Sequence, residues 1–155
     1  MSFQITGLRS EEFSALAALS DEELVARDAR RVLVDRHPGF PCRVSLVDAQ
    51  PGERVLLLNY EHLPHAGPYR SRYAIYVREN ASAARLAVDE IPPVLRNRLL
   101  SLRAFDAAGM LLDADVAEGD ELVPALERLL RPSTVAYLHV HNARPGCFAA
   151  RVDRA

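Results

Sequence analysis

The chain contains no lysine and no tryptophan, has only two cysteines, and carries no apolar run of the ~18 residues that a membrane-spanning helix needs. All nineteen basic residues other than histidine are arginine. This excludes a Schiff-base lysine, a lysine general base and the phosphate-loop lysine of nucleotide hydrolases. Cys42 and Cys147 are too few for a disulfide framework, and their separation matches no zinc or iron–sulfur spacing, so free thiols in a reducing compartment are expected. The first residues lack a basic stretch leading into an apolar one, which together with the absent apolar run predicts a cytoplasmic protein without a membrane partner. The net charge of -2 gives no general attraction for nucleic acid. The tyrosines are not interleaved with the basic patch that base stacking requires, so nucleic acid is not an expected partner.

At 155 residues, 49% hydrophobic and 26% charged, the chain suits one globular domain, 1–155, with a substantial core. Phe3–Leu8 reads as a short strand. Ser10 can cap a first helix, and Ser20 with Glu23 forms a capping-box pattern for a second over Asp21–Ala29, the two packing by Phe13, Leu16, Leu19, Leu24 and Val25. The Pro38-Gly39-Phe40-Pro41 turn leads into an expected strand Cys42–Val47. Further strands are expected from Val55 through His62, over Tyr73–Val77, and over Leu99–Phe105, where Ser101, Arg103 and Phe105 share one face. The Asp106-Ala107-Ala108-Gly109 turn predicts a returning strand Met110–Val116. A helix from Glu121, with an apolar stripe through Leu122, Leu126, Leu129 and Leu130, stops at Pro132 and precedes a terminal hairpin. Six or seven strands joined mostly by short turns predict an α+β domain, a mostly antiparallel sheet packed with a few short helices.

That hairpin, Val135–Arg151, gathers His139, His141 and Cys147. Strand alternation puts His139 and His141 on one face, a two-point grip for zinc or iron if His62 supplies a third ligand; nothing in the sequence requires a cofactor. The alternative is two histidines hydrogen-bonded within a semi-polar sheet face. Cys147 depends on the turn. A five-residue loop sets it across from His141 as a thiol–imidazole pair, whereas a four-residue loop pairs it with Asn142, facing away from both histidines. Among arginines, Arg103 lies in an otherwise apolar strand, Arg43 opens another, and Arg70 follows Tyr69 in a Pro/Gly-rich loop; each can clamp a carboxylate or phosphate, or serve a structural ion pair. Glu61 and His62 cannot serve one site unless a bulge breaks the alternation.

The stretches Pro38-Gly39-Phe40-Pro41-Cys42-Arg43, Pro68-Tyr69-Arg70 and Leu102-Arg103-Ala104-Phe105-Asp106, with the closing His139-Val140-His141-Asn142 and Gly146-Cys147, resemble the bacterial family called domain of unknown function 1203. The resemblance spans almost the whole chain. It implies a single-domain bacterial protein and favours Cys42, Arg43, His139, His141 and Cys147 over other polar residues, and it implies no reaction, substrate or cofactor. The leading expectation is a cleft between the Pro38–Arg43 turn, the Pro64–Arg72 loop and the terminal hairpin. It would bind a small anionic or polar molecule through Arg43, Arg70 or Arg103, with Tyr69 and Cys42 nearby and His139 or His141 as acid or base. A non-catalytic protein-interaction module and a metal enzyme ligated by His62, His139 and His141 are the alternatives, and oligomeric state is left open.

Overall fold

The computed structural model describes residues 1–155. Its eight strands are β1 (Phe3–Thr6), β2 (Ala29–Leu33), β3 (Arg54–Leu63), β4 (Ser71–Arg78), β5 (Leu100–Phe105), β6 (Leu111–Ala117), β7 (Tyr137–Asn142) and β8 (Phe148–Arg154). They form a five-stranded sheet in the order β1-β8-β7-β5-β6 and a three-stranded sheet β2-β3-β4, with antiparallel pairing throughout. Four short helices, α1 (Ser14–Ala17), α2 (Asp21–Val25), α3 (Pro93–Arg96) and α4 (Leu122–Leu130), complete an α+β fold.

The larger sheet buries one face against α4. Leu100, Leu102 and Ala104 of β5 alternate inward, as do Leu138 and Val140 of β7, and they meet Leu122, Leu126, Leu129 and Leu130 of α4 in a cluster of 20 buried residues. A second cluster of nine buried residues packs Phe13 and Leu24 from the N-terminal segment onto Leu56, Leu58, Ile75 and Val77 of the smaller sheet. The partition leaves the other face of β5 and β7, bearing Ser101, Arg103, His139 and His141, turned toward the smaller sheet's side of the molecule.

Four elements differ from expectation. Ser10 caps no helix: it opens a single 3-10 turn, Ser10–Glu12, without a side-chain cap hydrogen bond, and α1 begins only at Ser14. Helix α2 has its capping box, Ser20 Oγ accepting from Glu23 N at 3.2 Å and Glu23 Oε2 from Ser20 N at 2.8 Å, but it ends at Val25. Asp28 at φ 54° reverses the chain there and Ala29–Leu33 pairs with β3, a strand masked by Arg30 and Arg31; Val25 is left exposed. Cys42–Val47 is a turn rather than a strand, closed by Leu46 N to Cys42 O at 3.0 Å with Leu46 at φ 54°. Its apolar alternation arises because it is wedged between two cores, Val44 joining the smaller cluster and Leu46 the larger. Finally, β3 contains a bulge between Tyr60 and Leu63, so that Glu61 turns out to pair with Arg70 while His62 turns toward the larger sheet.

Candidate functional site

The terminal hairpin has the four-residue loop, Ala143–Gly146. Asn142 N donates to Cys147 O at 2.9 Å and Gly146 N to Asn142 O at 2.8 Å, with Gly146 at φ 80°, a conformation that a residue with a Cβ adopts only under strain. His141 then pairs with Phe148, and Ala149 is an extra residue, because Val140 pairs with Ala150. Cys147 therefore takes its polar contacts from Asn142 and Arg43 and not from a histidine.

Arg43 is 2% exposed, with no carboxylate partner. Its Nε donates to Phe148 O at 2.7 Å, Nη1 to Pro41 O at 2.6 Å and Nη2 to Cys147 Sγ at 2.9 Å. Burial pushes the guanidinium's pKa down, and the two cysteines, Cys147 above all, act against that displacement. A guanidinium has five N–H groups, so one hydrogen on Nη1 and one on Nη2 remain for another acceptor. Asn142 Nδ2 lies 3.5 Å from Cys147 Sγ, while Asn142 Oδ1 is buried with no partner in the protein.

Arg43, Asn142 and Cys147 lie along a cleft of about 640 Å³ where the end of β5 and β7 meets the flank of the smaller sheet. Pro41, Tyr73 and Tyr76 form one wall; Asn97–Leu99 and the hairpin loop with Arg144 form the other. Arg98 is already neutralised. Its Nη1 and Nη2 meet the two Asp48 carboxylate oxygens at 3.0 and 2.6 Å. Burial pushes Asp48 up, but this fork and the Gly39 N–H hold it below its ordinary value. The cations of the cleft without a carboxylate partner are thus buried Arg43 and exposed Arg144; exposed Glu118 also lines the cleft, paired with neither.

A second polar group lies behind Phe148. The bulge in β3 brings the His62 ring to 5.0 Å from His141 and 6.1 Å from His139, centroid to centroid. Phe148 packs among all three: it stacks on His62 at 5.6 Å and stands edge-on to His139 at 4.9 Å and His141 at 5.9 Å. His141 Nδ1 lies 2.9 Å from Gly146 O; a carbonyl only accepts, so Nδ1 carries the proton and Nε2 is left with its lone pair. Burial drives His139 and His141 each down to about 3, assisted by the other histidines and by Arg103; it lowers His62 as well. All three are neutral at neutral pH. Arg103 donates to Ser101 Oγ at 3.3 Å and has no carboxylate partner. No three His, Cys, Asp or Glu side chains are arranged to hold a metal ion, although His62, His139 and His141 do converge.

The expected site residues therefore separate. Arg43 and Cys147 share the cleft. His62, His139, His141 and Arg103 share the neighbouring cluster, with Phe148 joining the two, since its carbonyl holds Arg43 and its ring packs on the histidines. Tyr69 and Arg70 line neither: the Tyr69 ring meets Phe105 edge-on at 6.3 Å, and Arg70 is paired with Glu61. The expected Pro64–Arg72 wall of the cleft is replaced by Tyr73 and Tyr76 of β4, because the β3–β4 loop instead lies over the β5–β6 end of the larger sheet, His65 by Gly109 and Tyr69 by Phe105. Cys42 is wholly buried in the smaller core, its Sγ accepting from Arg78 N at 3.3 Å and Ser45 N at 3.4 Å. Four contributors were not singled out from sequence: Asn142, Phe148 and the wall tyrosines Tyr73 and Tyr76. Asn142 had two signals, its place opposite Cys147 in the four-residue register and its place in the closing His139–Asn142 stretch; Phe148 had none beyond its position next to that cysteine.

A family model described as protein of unknown function matches residues 39–154, which takes in every side chain of the cleft and of the histidine cluster. No curated protein and no solved structure matches the chain.

Proposed function

We propose that this chain, which belongs to the DUF1203 family, binds a small anionic or polar molecule in the cleft at the seam of its two sheets. The reading rests on one observation: the cleft floor combines a buried guanidinium that has two N–H groups to spare and no carboxylate with an amide oxygen, Asn142 Oδ1, that no donor in the protein reaches. Buried polar groups are nearly always paired, and a cation without an anion is the costlier case. A carboxylate or phosphate seated against Arg43, bearing a hydroxyl or amine directed at Asn142, satisfies both. The volume of about 640 Å³ falls within the range of small-molecule sites. Tyr73 and Tyr76 supply apolar wall and hydroxyl groups for the rest of such a ligand.

The test is thermal melting with inorganic phosphate, sulfate and a series of small mono- and dicarboxylates, each matched for ionic strength with sodium chloride. A binding anion at about a hundred times its dissociation constant stabilises the fold by about 2.7 kcal/mol and raises the midpoint accordingly. The rise disappears when Asn142→Asp sets a carboxylate beside Arg43. If every anion acts like chloride at the same ionic strength, the cleft is not an anion site.

A further inference from the structure

We infer that Cys147 is a nucleophile of the cleft, with its sulfur placed to attack a soft electrophilic carbon on a small carboxylate. The inference rests on the anion-binding reading of the cleft and adds a covalent step to it. Cys147 Sγ receives Arg43 Nη2 at 2.9 Å and Asn142 Nδ2 at 3.5 Å, two donors and no acceptor, so its contacts engage lone pairs and leave no protein group to hold its S–H. Cys42 in the core also accepts from two donors, but these are the neutral backbone N–H groups of Arg78 and Ser45, whereas Cys147 receives a charged guanidinium. Cys42 provides the internal comparison: it is 0% exposed among core side chains, whereas Cys147 is 8% exposed and borders the cleft. The second observation concerns the other end of the Asn142 amide, which does not touch the sulfur. Asn142 is 6% exposed, lines the same cleft, and carries an oxygen without a partner, so the position beside the sulfur is built for a group that donates a hydrogen bond. The spare Arg43 N–H groups hold a carboxylate on the other side. A ligand held by both has the carbon next to its carboxylate close to Sγ.

Iodoacetate is the matching probe and iodoacetamide its neutral counterpart. With iodoacetate the Cys147 sulfur lone pair forms an S–C bond, the C–I bond breaks with its electron pair leaving as iodide, and the thiol proton passes to water; no oxidant or reductant enters. Both alkylation rates are followed site by site by peptide mass spectrometry on the folded chain, with glutathione as reference thiol. Cys147 is expected to react well before Cys42. Its iodoacetate-to-iodoacetamide rate ratio should exceed that of glutathione by about tenfold or more, since a local cationic site raises anion encounter by that order. Asn142→Asp keeps the side-chain volume and should return the ratio to the glutathione value or below; Arg43→Gln, provided its melting shows it folded, should do the same. A Cys147 no faster than Cys42, or a ratio equal to that of glutathione, overturns the inference. Midpoint shifts with anions but an unlabelled Cys147 remove the nucleophile and leave the binding site standing. Neither shifts nor selective labelling removes both.

Discussion

Arg43 carries more of the site than any other residue, and its effect on stability follows from what it holds. It satisfies the carbonyls of Pro41 and Phe148 and contacts the Cys147 sulfur in a place closed to solvent. Methionine in its place keeps much of the apolar stem and abandons all three acceptors. Each buried group left unpaired costs about 1–3 kcal/mol, offset in part by no longer burying a charge. Arg43→Met should therefore lower unfolding free energy by about 3 kcal/mol in urea titration; an unchanged midpoint would mean that the arginine is held for its ligand alone. The sequence offered Arg43 and Cys147 as candidates on residue type and surroundings. Their partnership was not legible, because it joins positions more than a hundred residues apart through a turn with no regular period. Arg103 illustrates the converse: an arginine in an apolar strand sharing a face with Ser101 and Phe105 could be read from alternation, and it faces the histidines of the neighbouring strand as that alternation requires.

At the level of elements, local chemistry was legible at two turns closed by a side chain, though not at Ser10, which caps no helix. The Ser20–Glu23 box caps α2, and Asp106 Oδ1 accepts from both Ala108 N and Met110 N at 2.9 Å in the β5–β6 turn. It failed where burial imitates a strand, as in Cys42–Val47, and where charge hides one, as in β2. The hairpin loop held the decisive ambiguity, four residues or five, and periodicity cannot settle a difference of one. Gly146 is what fixes it. Gly146→Ala puts a Cβ at φ 80° and should cost about 1–2 kcal/mol. If the loop relaxes by extending, Cys147 leaves Arg43 and its labelling slows toward that of Cys42. If the strain is absorbed in place, stability falls while labelling keeps its rate. Urea titration combined with alkylation kinetics separates the two.

Across the whole molecule, the three histidines at the seam make stability depend on acid. Their folded-state values lie below the ordinary 6.5, with His139 and His141 near 3, because burial disfavours their charged forms. The unfolded chain therefore binds more protons than the folded one between those limits. The resulting stability is complete above about pH 6.5 and is lost as pH falls toward 3, with a slope approaching one proton for each of His139 and His141. Replacing both by phenylalanine should flatten the melting-midpoint profile over that window, and an unaltered profile would assign acid sensitivity to carboxylates instead. The seam is also where fold and site were legible to different degrees. The α+β class and most strand positions follow from patterns confined to ten or so residues. The division into two sheets, which creates both the cleft and the histidine cluster, is encoded by no local pattern, and neither is the β3 bulge that turns His62 toward the larger sheet.

The pairing of β1 with β8 has a consequence for how the protein comes into being. Phe3–Thr6 has no strand partner other than Arg151–Arg154, and Arg43 awaits Cys147 and Phe148. A ribosome adding about 5–20 residues per second delivers the entire three-stranded sheet well before either partner exists. During that interval the first strand is an unpaired edge and the arginine a hydrated cation without its acceptors. The cleft closes only once Asn142, Cys147 and Phe148 have been made, so the anion binding proposed for it belongs to a chain whose synthesis has passed the β7–β8 hairpin.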